Sequence, residues 1–113
     1  MTRDEIRTEI DKLGLYYDPD HPDHISKEKI ATLPPPFLEW GTQENYIRAD
    51  GIDYIISLNL IVRVYTDTNE DTPILVDGRT ADDVLRESFE RFVKKQYYDD
   101  ELSLYETEYT MEV

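Results

Sequence analysis

Residues 45–67, NYIRADGIDYIISLNLIVRVYTD, decide how this chain folds. From Ile56 the residues alternate: Ile56, Leu58, Leu60, Val62 and Val64 fall on one side. Ser57, Asn59, Arg63 and Tyr65 fall on the other, with Ile61 as an apolar exception. Side chains along a strand point to opposite faces with a period of two, so the pattern predicts one long strand with a buried and a wet face. Asp50-Gly51, just upstream, is a dipeptide favoured by type I′ turns, whose central residues need positive φ. Tyr46–Ala49 is therefore expected to fold back on Ile52–Ile55.

Downstream, Thr66–Pro73 (TDTNEDTP) has no periodicity and reads as a surface loop, followed by a short apolar run Ile74–Val76 and a turn at Asp77-Gly78. Thr80 with Asp83 then opens a helix expected over about 81–97. Its apolar stripe is Val84, Leu85, Phe89, Phe92 and Val93. Asp82–Arg86, Glu87–Arg91 and Glu90–Lys94 place acid before base at i,i+4. Asp82 and Asp83 suit the positive end of the helix dipole, and Lys94 and Lys95 the negative end. The tail LYETEYTMEV alternates again, with Tyr105, Thr107, Tyr109, Met111 and Val113 opposite Glu106, Glu108, Thr110 and Glu112. It predicts a last strand with an apolar and an acidic face.

Upstream, Phe37–Gly41 predicts a short strand with Leu38 and Trp40 on one face and Phe37 and Glu39 on the other, and Gly41–Asn45 a loop. Leu33-Pro34-Pro35-Pro36 stops any helix, and Ser26 caps a single turn before it. DPDHPDH at 18–24 holds His21 and His24 among Asp18, Asp20 and Asp23, residue types that ligate zinc or nickel. Its two prolines preclude a helix that would align the imidazoles, so a solvated turn is expected and no metal site. Leu15–Tyr17 reads as a brief strand. Thr2 and Glu5 match a capping box for an amphipathic helix over about 3–13, and Gly14 suits its end.

The whole is one α+β domain, 1–113: a mostly antiparallel sheet with a long hairpin and strand over about 46–66 and helices packed on one face. Twenty-six acids against twelve bases give a net charge of −14. Duplex binding requires a surplus of Lys and Arg, which this chain lacks. It has no cysteine, so neither a disulfide framework nor a thiolate site exists. No run approaches the ~20 apolar residues of a membrane span, and the charged N-terminus is unlike a secretory signal. No phosphate loop, GxSxG or cysteine nucleophile is present; neither catalysis nor a cofactor is expected.

The order PPPFLEWG, then the hairpin with Ala49, Asp50 and Tyr54, then a strand ending Tyr65-Thr66-Asp67, then the tail with Leu104, Tyr105, Tyr109, Glu112 and Val113, resembles the tail-terminator or tail-completion proteins of long-tailed bacteriophages. The resemblance covers roughly 34–113. The Pro-rich segment 14–36 aligns poorly, Ile74–Gly78 is an insertion, and the penultimate strand of the family is missing or fused into the helix at Lys94–Tyr98. The resemblance implies a virion protein, assembled in the host cytoplasm, that forms a ring, usually hexameric, through a heterologous interface. That ring caps the tail-tube protein, meets the head–tail connector, and lets DNA pass without specific binding. Asp67, Glu70, Asp71, Glu106, Glu108 and Glu112 are the lumen or interface candidates, since carboxylates offer phosphate no site. The alternative is a small acidic protein that imitates DNA and inhibits a nucleic-acid-binding enzyme.

Overall fold

The computed structural model describes the backbone of residues 1–113 and every side chain except that of Ile56, whose expected orientation lies outside the described residues. Its elements are α1 (Arg3–Asp11), α2 (Lys27–Ile30), β1 (Phe37–Ala49), β2 (Ile52–Thr66), α3 (Ala81–Ser88), β3 (Val93–Asp99) and β4 (Leu104–Glu112). The strands form one antiparallel sheet in the order β1-β2-β4-β3. The class is α+β, as expected.

The β1–β2 hairpin turns where the sequence places it. Ala49 faces Ile52 and Tyr46 faces Ile55, while Asp50 and Gly51 take φ of 54° and 75°. Leu60, Val62 and Val64 are completely buried. They lie directly opposite Met111, Tyr109 and Thr107 of β4. One cluster joins them to Leu38 and Trp40 of β1, Ile6 and Ile10 of α1, and Val84 and Leu85 of α3. The helix starts follow their caps. Thr2 and Glu5 form the reciprocal capping box, Ser26 caps α2, and the Thr80 side chain accepts from the Asp83 N–H.

Four expectations need correction. The second helix ends at Ser88, not near Tyr97: Phe89 is extended, and Val93–Asp99 is a strand paired along β4 from Thr110 to Leu104. The penultimate strand is thus present. The apolar stripe and the i,i+4 charges are local signals, and seven residues of cross-strand pairing outweigh them. Lys95 faces Glu108 instead of closing a helix. Glu87–Arg91 and Glu90–Lys94 therefore have no helix to bring them together.

Gly41–Asn45 is also not a loop but the middle of a thirteen-residue β1. Its polarity reflects solvent on that part of the sheet, and its glycine reflects a close approach: a Cβ at Gly41 would meet the Asp23 Cβ at 3.2 Å. Nor is the second sheet face wet throughout. Phe37, Tyr65, Leu104 and Ile25 are buried together there, with Ile30, Leu33 and Leu102 against them. Phe37 and Tyr65 stack with centroids 5.1 Å apart. The segment before β1 folds over this end of the sheet, and the Trp40 backbone N–H donates to the Pro22 carbonyl at 2.7 Å. Finally, Leu15–Tyr17 contributes one parallel bridge, Tyr16 to Phe37, and no strand.

Three of the nine tyrosines carry protected hydroxyls. Burial, then donation to Asp11, pushes the Tyr17 phenol up to about 12. Burial also pushes Tyr65 and Tyr109 up, helped by Glu39 and Asp82 respectively. Above pH ~10 the unfolded chain ionises these phenols and the folded chain does not, so stability falls as pH rises through that range. Absorbance titration is expected to show these three phenols ionising only as the alkaline fold collapses.

Candidate functional site

Two surfaces stand out: a projecting hairpin arm and a charged face of the sheet. The arm arises because the strands are unequal in length. The last contact between β4 and β2 is the Val113 N–H donating to the Leu58 carbonyl at 2.9 Å. Beyond it, residues 45–57 form a ribbon of only two strands. At its root Asn45 faces Ser57 and Tyr46 faces Ile55. Ile56 is thus the extra residue of a bulge, a feature that increases local twist. The molecule is correspondingly long, 49 × 30 × 24 Å.

Register sorts the arm's side chains onto two faces. Ile47, Ala49, Ile52 and Tyr54 share one; Tyr46, Arg48, Asp53 and Ile55 share the other. Tyr46, Ile47, Ile52, Tyr54 and Ile55 are each 47–60% exposed. An isolated two-stranded ribbon is marginal in water, and exposed apolar patches on ordinary monomers rarely exceed a few hundred Å². Five large, mostly apolar side chains exposed on such a ribbon set it apart from the rest of the surface. Sequence reasoning placed the hairpin but missed its exposure. The available signal was YIRADGIDYII, which puts large apolar residues on both alternating faces.

On the second sheet face, Arg63 sits between the candidates Glu106 and Glu108, its Nε 3.3 Å and 3.4 Å from their carboxylates. All three are partly buried. Burial pushes the Glu106 carboxyl up; Arg63 opposes that and Glu108 reinforces it. Glu39, opposite Arg63 in β1, is buried and accepts from the Tyr65 hydroxyl at 2.6 Å and from the Ile25 N–H at 2.7 Å. This carboxylate pins the wrapping segment to the sheet. Glu106 and Glu108 are thus members of an ion cluster and not part of a bare acidic row.

Arg63→Gln is expected to cost about 1–2 kcal/mol near neutrality, between a surface pair and a fully buried one. Without the guanidinium the folded Glu106 carboxyl rises further. Stability is then lost as pH rises through its titration and regained as it protonates. Urea unfolding should show the deficit shrinking between neutral pH and pH ~4.

The other candidates do not converge with these. Glu112 is exposed at the far end of β4, six residues or roughly 20 Å of strand from Glu106. Asp67, Glu70 and Asp71 are exposed in the loop after β2. That loop is tied to β3 where the Gln96 side chain donates to the Glu70 carbonyl at 2.6 Å. It lies at the Glu106 end, since Thr66 faces Tyr105. His21 and His24 are exposed in a turn built on Asp18, which accepts from the Asp20 and His21 N–H groups. Among the described residues, no group of three or more His, Asp or Glu side chains is placed to hold a metal ion.

Among the described residues, no helix is long and apolar enough to cross a membrane. Compared with known proteins, the chain matches no family model, no curated protein and no solved structure.

Proposed function

We propose that this chain is a structural virion protein whose copies assemble into a ring that caps a phage tail tube and joins it to the head connector. The observation that carries the reading is the exposed two-faced apolar arm on a body of net charge −14. The arm calls for a protein partner, and the acidity disfavours phosphate. The likeness of residues 34–113 to tail terminators supplies the setting, and a penultimate strand at Val93–Asp99 removes one departure from it. Two unequal sheet edges, β1 and β3, suit a heterologous contact that closes a ring, a hexamer by analogy.

DNA would pass such a ring without binding. The lumen assignment narrows to the exposed loop acids Asp67, Glu70 and Asp71, because Arg63 pairs with Glu106 and Glu108 and Glu112 lies at the opposite end of β4. The test is to add the purified protein to tail tubes assembled without it. One capped end per tube, arrested growth and restored joining to heads are the expected results. Competition with DNA for a nucleic-acid-binding enzyme, with no binding to tubes, would establish the imitation of DNA instead.

A further inference from the structure

We propose that the hairpin arm of one copy docks into the groove between α3, β3 and β4 of the next copy. The groove has a volume of about 710 Å³ and an apolar floor of Phe92, Val93 and Met111. It exists because β3 begins at Val93, opposite Thr110, leaving Met111 and Glu112 of β4 without a neighbour on that side. Val93 is 61% exposed. Arm and groove are thus two open apolar surfaces on one molecule.

The arm cannot fill the groove of its own chain. Asn59 lines the groove and stands at the arm's root, and the ribbon runs on from there without folding back. A second copy is the occupant that the charges favour. The arm region carries Glu44, Asp50 and Asp53 against Arg48 alone, and Arg48 is already 3.9 Å from Asp53. Groove residues Arg86 and Arg91 are balanced by Glu90 and Glu112, and Lys95 follows along β3, while Lys94 is held by Asp82. In so acidic a chain this neutral side is the surface that an acidic apolar ribbon from an identical molecule meets with least repulsion. Because arm and groove are different surfaces, the contact is heterologous and propagates from copy to copy.

This inference deepens the ring reading and rests on it. The chain's lack of cysteine makes the test clean. Ile47→Cys in the arm and Val93→Cys in the groove change exposed positions, so both variants should fold, as circular dichroism would verify. Mixed under mild oxidation, they are expected to give a disulfide-linked heterodimer. Ile47→Cys with Glu28→Cys on α2 should not. Adding Tyr54→Ser and Ile52→Ser to the arm partner should lower the linked yield at least about tenfold, the equivalent of ~1.4 kcal/mol.

The double variant Ile47→Cys/Val93→Cys should close into one covalent ring of fixed copy number. No heterodimer, or efficient homodimers of Ile47→Cys alone, would overturn arm-in-groove docking and leave the ring to be judged on tail tubes. A closed pair joined by two disulfides would uphold the docking and refute the ring.

Discussion

Trp40→Ala is expected to lower stability by about 3–5 kcal/mol, much of the 5–15 kcal/mol available to a domain of this size. Trp40 is completely buried beneath α1 and α3, beside Val62 in the sheet. The Tyr17 ring meets it edge-on at 6.1 Å, and the Arg3 guanidinium lies 5.2 Å over its centre. Removing it opens a cavity that joins strand, helix and the 15–17 segment. Among the described residues its Nε1 finds no hydrogen-bond partner. Trp40→Phe keeps a large aromatic ring in place and should cost far less, about 1–1.5 kcal/mol. Urea unfolding followed by circular dichroism measures both; a small loss for Trp40→Ala would mean that this core is not what holds the sheet and helices together.

Asp82→Ala should be comparably damaging, at about 3–5 kcal/mol, for an electrostatic reason. Asp82 is buried in the first turn of α3. It accepts from the Tyr109 hydroxyl at 2.5 Å and from the Lys94 ammonium at 2.9 Å, and the Arg86 guanidinium lies 3.8 Å away. One carboxylate thus ties the helix to β4 and β3 while favouring the helix dipole. Truncation leaves a buried hydroxyl and a partly buried ammonium without their acceptor. Tyr109→Phe removes only one arm of the network and should cost about 1.5–3 kcal/mol, the range for hydrogen bonds to charged groups. The double variant is expected to lose less than the sum of the two, since the residues are in direct contact. Strict additivity would contradict this account of the tie.

Legibility in the sequence followed the range of the interactions. The Asp50-Gly51 turn, the three helix starts at Thr2, Ser26 and Thr80, and the alternation of β2 and β4 are fixed by neighbours a few residues apart. Val93–Asp99 was misread because its apolar and charge spacing suits a helix, whereas its strand depends on β4, a partner that local spacing cannot show. Tyr65 and Glu39 were placed on the correct face, but their burial depends on Ile25 arriving from a proline-broken segment with no periodic signal.

The candidate site divides in the same way. Alternation put Glu106 and Glu108 on one face, and put Arg63 on the outward face of its own strand. Only the β2–β4 register shows that Arg63 lies between them. The arm was legible as a hairpin. Its solitude was not, because the number of strands flanking a hairpin is a property of the sheet. Residues 45–57 became a bare ribbon only because β4 stops at Glu112, opposite Asn59.

The central claim is that copies of this chain assemble through surfaces a single copy leaves open. Light scattering with negative-stain imaging of the purified protein over rising concentration tests it most directly. The account predicts discs of fixed copy number with an open centre, abolished when Ile47, Ile52 and Tyr54 are replaced by serine in a chain that still folds. A particle of one chain's mass at every concentration, with the arm's amides protected from hydrogen exchange, would contradict it.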